Sequence, residues 1–265
     1  MKTYIDQLQR EIKLNQTPKR IVSLVPSQTE MLHDLGLENS IVGITKFCIH
    51  PKHYKNTKQI VGGTKQVHYD KIRALKPDVI LCNKEENTKE MVVELERIAP
   101  VHVSDIFTIA DALELFEQYG KLFDIEETAM KLQRQLKEKQ SDFEVLVKDI
   151  SRKRVAYFIW RNPWMVAGGN NIINHLLEIN SFENVFKTKS RYPEVSLDEL
   201  SIQNPEFVLL SSEPYPFQEK HIQEMQAILP NAKIILVDGE MFSWYGTHLL
   251  KAFNYFQKLH KIIGK

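Results

Sequence analysis

Cys48 and His50 stand two residues apart in the stretch "TKFCIHPK", directly before Pro51. In an extended chain, positions i and i+2 face the same side. A soft thiol and an imidazole on one face are half of a zinc- or iron-type site. Two ligands do not make a site, and the same pair serves equally well as a buried cysteine and a hydrogen-bonded histidine at a strand end. Glu86 and Asp238 are the carboxylates that would complete a shell with Cys48 and His50. No HExxH or CxxC spacing occurs, and the remaining histidines are scattered. The "GGTK" turn (Gly62 to Lys65) lacks the full phosphate-loop pattern, and neither GxGxxG nor GxSxG is present. The sequence therefore carries no specific signature of nucleotide binding or of an α/β-hydrolase nucleophile.

The residues with chemistry to offer cluster after short apolar runs. Ser27 follows "RIVSLVP"; Lys46, Cys48 and His50 follow "SIVGIT"; Lys84, Glu85 and Glu86 follow "VILCN". In the second half, Trp160, Arg161 and Trp164 end or follow "KRVAYFIW", and Glu213, Tyr215 and Phe217 follow "VLLSS". Asp238, Glu240, Trp244 and Tyr245 follow "IILV". Arg191 and Tyr192 lie in the polar stretch between these groups, and Arg161 and Arg191 are candidates to pair with an anionic ligand. Polar groups that orient a ligand and aromatic faces that cover it are the usual make-up of a small-molecule site. Each aromatic has core packing as its alternative, and Glu85-Glu86 has an alternative as acids favoured at a helix N-terminus.

The apolar runs read as buried strands, and helical patterns separate them. "SQTEMLHDLG" is a helix with Ser27 or Thr29 as cap and Gly36 as its end, and "NNIINHLLEIN" is capped by Asn170 or Asn171. "WYGTHLLKAFNYFQKLHKII" reads as the final helix. Alternating strands and helices predict parallel sheets. From Asp124 to Lys148 there is no Pro or Gly, which predicts one helix about 37 Å long. A second strand–helix series begins after it. "IRALKPDVILCNKEEN" and "LSIQNPEFVLLSSEPY" repeat one pattern: short helix, X-Pro-acid turn, apolar strand, polar segment with glutamate. The prediction is an α/β fold of two Rossmann-like lobes with mainly parallel central sheets, joined by one long backbone helix. Its divisions are residues 1–122 (1–19 an opening segment), 123–150 for the helix, and 151–265. Ligands of open α/β sheets bind beyond the carboxyl ends of strands, so the expected ligand cleft lies between the lobes.

The chain has 265 residues, 43% of them hydrophobic, enough for one large or two smaller cores. Lys+Arg is 35 against 34 Asp+Glu, so no basic excess points to nucleic acid. No window approaches the roughly 18 apolar residues of a membrane span, and the first residues contain no apolar signal region. The two cysteines suggest no disulfide framework. The expectation is a monomer, cytoplasmic by the sequence as given and periplasmic if a signal has been removed, with no membrane insertion.

"PKRIVSLVPSQTEMLHDLGLENSIVGIT", the "LKPDVI" turn and "VSLDELSIQNPEFVLL" resemble periplasmic-type substrate-binding proteins of ABC importers, in the helical-backbone (TroA-like) metal receptor group. The pattern is most similar to cobalamin- and ferric-siderophore-binding members. "DQLQREIKLNQTPKR" resembles the short hairpin that often opens the mature domain. The resemblance spans nearly the whole chain. It implies no catalysis and no required cofactor, but a bound metal chelate or corrinoid (cobalamin, haem or ferric siderophore), or else a directly bound metal ion. It implies a permease partner that docks through one acidic residue on each lobe. The matching positions are Asp70, and Asp198 or its neighbour Glu199, where the family usually has Glu. The competing expectation is an intracellular metal-binding protein or metal-dependent enzyme reusing the fold.

Overall fold

The structure is a computed structural model that describes residues 1–264. The chain divides into two compact units. The first comprises Met1–Ile106, Ala110–Lys137 and Trp244–Leu249, and the second comprises Phe107–Ile109, Glu138–Ser243 and Leu250–Lys265.

In the first unit, β1 (Lys2–Ile5) and β2 (Glu11–Leu14) form an antiparallel hairpin. A five-stranded, all-parallel sheet follows. Its elements are β3 (Ile21–Ser23), α1 (Pro26–Asp34), β4 (Ile41–Ile44), α2 (Tyr54–Thr57), β5 (Gln59–Ile60), α3 (Tyr69–Ala74), β6 (Val79–Asn83), α4 (Lys89–Glu96) and β7 (Val101–Ser104). The strand order is β5-β4-β3-β6-β7. β3 and β6 are wholly buried because both faces are covered, which is why they read as continuous apolar runs. Val22, Ile80, Cys82, Leu95 and Val101 meet in one core cluster. Each such side chain contributes about 1.5–3 kcal/mol by leaving water.

Helix α5 (Ile109–Phe123) leads to α6 (Glu126–Val147), a single 22-residue helix about 33 Å long. Ala129, Leu136, Phe143 and Val147 are its buried positions, a narrow stripe spaced by seven, seven and four on a largely polar helix. The unit boundary falls inside α6, between Lys137 and Glu138.

The second unit is built from β8 (Lys153–Trp160), β9 (Met165–Val166), α7 (Ile172–Ile179), β10 (Phe182–Asn184), α8 (Leu197–Gln203), β11 (Phe207–Ser211), α9 (Glu219–Ile228), β12 (Lys233–Val237), α10 (Glu240–Ser243) and α11 (Leu249–Ile263). Its sheet runs β10-β8-β11-β12, all parallel, with β9 antiparallel on β8. β10, in "SFEN", is a strand the sequence reading does not contain.

The internal repeat holds at atomic detail. Lys76 and Asn204, each before the repeat's proline, both adopt left-handed backbone (φ 46° and 44°). The acid after each proline then caps the start of the neighbouring strand. Asp78 Oδ2 accepts from the backbone N–H groups of Lys19 and Arg20 (2.8 and 2.9 Å), and Glu206 Oε2 accepts from that of Arg154 (3.0 Å). One local device thus fixes strand order in each unit.

Three expectations about elements change. Helix α1 begins at Pro26, with Val25 as its uncapped N-cap; Ser27 and Thr29 lie inside the helix, so neither is its cap. Proline has no N–H to satisfy at a first helical turn and starts the helix instead of only ending the strand. Asn171 rather than Asn170 caps α7, accepting from Asn174 N–H. The final helix starts only at Leu249; Trp244–His248 is a loop and a 3-10 turn (Gly246–His248) in which Gly246 has φ 79°. A Cβ on Gly246 would stand 3.1 Å from Met31 Sδ and 3.2 Å from Met31 Cβ, so this segment is pressed against α1. That packing is why Trp244–Leu249 belongs to the first unit, although a division at residue 151 puts it in the second.

Candidate functional site

In the first unit the strand-end loops converge on one buried polar network. Gln28, on α1 just after β3, donates through Nε2 to Ser104 Oγ (2.6 Å) and to the Tyr245 hydroxyl (2.9 Å). Tyr119 on α5 donates back to Gln28 Oε1 (2.7 Å), and Asn83 Nδ2 donates to Ser104 Oγ (3.0 Å). α1, β6, β7 and α5 therefore all hold Tyr245 in place. Burial pushes the Tyr245 hydroxyl well above its usual range, and the charge of Glu86 adds to this, so it stays a neutral phenol. A second clamp lies beside it. His248 Nδ1 is 2.7 Å from Glu30 Oε2, with both side chains almost wholly out of solvent. His50 sets its ring edge to Trp244 at 5.4 Å and lies 5.9 Å from the His248 ring. Trp244 is buried. So His50, Trp244, Tyr245 and His248 form one patch, fed from the β4 loop and from the segment after α10.

Cys48 does not share His50's surroundings. It is fully buried, with Sγ 3.1 Å from Thr29 Oγ1 and 3.2 Å from Thr45 Oγ1. Burial raises its thiol above the ordinary range, outweighing those hydrogen bonds, which disfavours the thiolate a metal needs. Among the described residues no group of three or more His, Cys, Asp or Glu side chains is placed to hold a metal. The shell of His50, Cys48, Glu86 and Asp238 is thus not assembled as a metal cluster. Ser27 is buried in the first turn of α1. Lys84 pairs with Asp105 (2.5 Å). Glu85 and Glu86 follow β6 in a turn whose N–H groups donate to Asn83 Oδ1 (2.8 and 3.2 Å). Asn87 closes the turn by donating to Thr64 O (2.8 Å).

In the second unit the sequence candidates split into three groups. Trp164 stacks on Phe217 (6.2 Å, 9° between planes) and meets Phe158 edge-on. Phe217 is part of the core cluster, with Trp164 and Tyr215 packed against it, so for these rings the packing alternative accounts for much of their surface. Arg161 is engaged: Nε and Nη2 make a bidentate pair with Glu224 (3.0 and 2.8 Å) while its guanidinium sits over Trp164. Its charge is compensated by Glu224. Trp160, 39% exposed, stands at the end of β8 with Tyr215 at 5.6 Å edge-on.

Arg191 and Tyr192 form the second group. Their loop is locked against "AGGNN". Gly168 N–H donates to Arg191 O, Gly169 N–H to Lys189 O, and Asn171 Nδ2 to Arg191 O (2.7, 2.7 and 2.9 Å). A Cβ on Gly168 would sit 2.2 Å from Lys189 O. This frame holds Arg191 at φ 58°, a left-handed conformation costly for a non-glycine residue, with its guanidinium 5.5 Å above the Phe107 ring. The third group is the turn after β12. Asp238 Oδ1 accepts from Glu240 N–H (3.1 Å), and Glu213 accepts from Ser243 Oγ (2.8 Å).

Among the acidic pair candidates, Asp70 is fully exposed in the first turn of α3 and pairs with Arg73 on its own helix (2.7 Å). Asp198 is exposed in the first turn of α8. Glu199 is tied to Lys189 at 2.7 Å.

Residues 21–229 match the family model described as "Periplasmic binding protein". The chain is a member of the periplasmic binding protein family. It is 24% identical over 215 residues to an uncharacterized ABC transporter substrate-binding lipoprotein of Bacillus subtilis, covering 78% of this chain and 68% of the relative. Its fold is that of the periplasmic vitamin B12 binding protein of Vibrio cholerae (TM-score 0.81, 18% identity, 94% of this chain and 99% of that one). The periplasmic heme-binding protein of Roseiflexus sp. RS-1 has the same fold (TM-score 0.80, 16% identity, 92% and 98%). In this member of the family, sequence reasoning omits Glu30, Asn83, Ser104 and Tyr119. Polar residues inside apolar strands and helices ("VILCN", "VHVS", "SQTE") were the available signal.

Proposed function

We infer that this protein is the solute-binding component of an ABC importer and takes a bulky metal chelate or corrinoid. The observation that carries the reading is the mounting of aromatic and polar side chains at the strand ends of both units. His50 and Trp244 sit beside the Gln28–Tyr245 network in the first unit. Trp160, Arg191 and Tyr192 sit on braced turns in the second. Buried hydrogen-bond networks and glycine-framed loops position such side chains in advance, which lowers the ordering cost of binding. Vitamin B12 and heme, the ligands named for proteins of this fold, have the size and ring character that such side chains suit. No chemistry is required: binding is the function. Asp70 and Asp198 supply the exposed acidic contacts for a permease, one on each unit, whereas Glu199 spends its charge on Lys189.

Calorimetric titration with cyanocobalamin, haemin and ferric siderophores tests the reading. Micromolar or tighter binding of one of them, weakened by Trp244→Ala and by Arg191→Ala, is expected. Failure to bind any of them would refute it.

A further inference from the structure

Residues 46–76 contain seven lysines and one arginine against a single acid, Asp70, a net of +7 in a chain whose total is +1. The segment runs from the loop after β4 through α2 and edge strand β5 to the turn after α3. One rim of the first unit therefore carries a positive charge that the rest of the chain offsets. The arginine is spent on the acid: Arg73 Nη1 lies 2.7 Å from Asp70 Oδ1. The lysines keep their charge. Lys58 Nζ donates to the backbone oxygen of Glu38 (2.6 Å) and Lys65 Nζ to that of Glu85 (2.5 Å), contacts that position an ammonium without neutralising it. The Glu38 carboxylate, which lies in the field of Lys58, meets His53 (2.7 Å). Lys46, Lys58, Lys65 and Lys71 line one hollow with Phe47, and no acidic side chain lines it. The Phe47 ring is 49% exposed. The turn after β4 puts it there: Cys48 N–H donates to Thr45 O (3.1 Å) and Phe47 N–H to Thr45 Oγ1 (3.3 Å), so Cys48 enters the core and Phe47 stays outside. Lys46 Nζ lies 5.0 Å from the ring centroid. Gly63 makes room for the ring, since a Cβ there would stand 3.2 Å from Phe47 Cε2.

Lysines beside an edge strand also discourage pairing with another sheet. That accounts for Lys58, which adjoins β5, but not for Lys46, Lys65 and Lys71, which lie off the strand. Residue type separates the anionic partners that such a rim could meet. Readers of nucleic acid favour arginine, whose planar fork meets phosphates and bases two bonds at a time. Here the one arginine is already paired, and the remaining charges are compact, strongly hydrated ammonium groups on flexible stems. Such charges suit a sheet of negative headgroups, where attraction sums over the surface and needs no fixed geometry. An exposed phenyl ring among them suits the headgroup boundary, where its apolar face leaves water.

We propose that this lysine-rich rim of the first unit docks on a membrane surface of anionic phospholipid, with the Phe47 ring seated among the headgroups. No helix among the described residues is long and apolar enough to cross a membrane, so the contact is peripheral. It is a surface separate from the His50–Trp244 patch and does not depend on which solute the protein carries. The test is co-sedimentation of the full chain with vesicles of phosphatidylcholine alone and of phosphatidylcholine with about 30% phosphatidylglycerol, at low salt and at about 0.5 M salt. The variants are Lys46→Gln/Lys71→Gln, Phe47→Ala, and the charge-matched control Lys131→Gln/Lys137→Gln on α6. All four lysines are exposed, so both pairs keep the fold, which circular dichroism checks. Wild type should bind only the anionic vesicles and leave them at high salt. Removal of Lys46 and Lys71 should weaken partitioning about 25-fold, at about fivefold per lysine. Phe47→Ala should weaken it several-fold, and the control pair should leave it within about twofold of wild type. Binding to neither vesicle, equal binding to both, equal losses for the two lysine pairs, or no loss with Phe47→Ala would overturn the proposal. So would tighter binding to duplex DNA than to the anionic vesicles, which would make the rim a nucleic-acid surface.

Discussion

Gly246→Ala is the perturbation that most directly tests how the Trp244–His248 patch is held. Two costs add at this position. The backbone has φ 79°, where an L-residue with a Cβ loses about 1–2 kcal/mol. The new Cβ also stands 3.1 Å from Met31 Sδ and 3.2 Å from Met31 Cβ. Sulfur at the end of a flexible chain yields, but Cβ is fixed to the helix α1 backbone, so overpacking of about 1–2 kcal/mol remains. The sum is about 2–4 kcal/mol. Gly36 supplies the control: its φ is 82°, and nothing lies within 4 Å of a Cβ placed there. Gly36→Ala should therefore cost only the backbone share, and the difference between the two variants isolates the packing share. Urea unfolding followed by circular dichroism measures both. In a double-mutant cycle, Met31→Gly, which removes that Cβ, should return the packing share at Gly246 and leave the backbone share. Equal losses for Gly36→Ala and Gly246→Ala, or no coupling between Gly246 and Met31, would refute the docking of this segment on α1.

Other outcomes follow from single groups. His102 is fully buried, with Nε2 2.8 Å from Gln118 Oε1, and burial lowers its pKa to about 4. The unfolded chain takes up this proton near pH 6.5 and the folded chain does not, so stability is retained above pH 6.5 and lost as pH falls toward 4. The loss from this residue is about 3 kcal/mol, and His102→Gln should flatten the pH dependence of urea midpoints over that window. Glu30→Ala removes the acceptor of the 2.7 Å bond to His248 and should lower stability by about 1–3 kcal/mol, read by the same unfolding assay. Cys48 and Cys82 are both buried with raised thiol pKa values, so native protein should react with Ellman's reagent only at the rate of unfolding. Asp198→Lys should abolish co-purification with a cognate permease while leaving solute affinity unchanged, whereas Glu199→Lys, at a position already tied to Lys189, should weaken it less.

The fold was legible because its signals are local and repeated. Short apolar runs with helices between them report parallel strands buried on both faces, and the X-Pro-acid turn announces itself twice because it does the same work twice. α6 was legible because helix length needs only an absence of Pro and Gly. The patch was legible only in part. "WYGTHLL" continues smoothly into a helical pattern, and nothing local says that Gly246 takes positive φ until Met31 is known to press on it. Gln28, Ser104 and Tyr119 are distant in sequence and polar in apolar surroundings; a pattern of periodicity treats them as exceptions, whereas packing makes them one network. Cys48 and His50 show the reverse limit. Their i, i+2 spacing implies one face only in extended chain, but here they follow the end of β4, and the Cys48 N–H closes a turn on Thr45 O. The thiol goes into the core, and the imidazole goes to Trp244.

Charge shows most clearly why residue type alone misplaces function. An arginine among aromatics reads as an anion receptor, and Arg161 has that setting, yet Glu224 meets its fork with two bonds and leaves little for a ligand. The lysines around β5 are the commoner, blander residue, and in sequence only Lys46 stands among the candidate ligand residues. Lys65 donates to the backbone oxygen of Glu85, whose lone pairs orient an ammonium without cancelling its charge, and Lys58 donates to that of Glu38. A lysine-lined cavity therefore stands where the sequence singles out Lys46 alone as a ligand candidate, and a compensated pair stands at Arg161. What decides between them is the partner each cation meets within 4 Å, a quantity set by which loops each sheet brings together within its own unit.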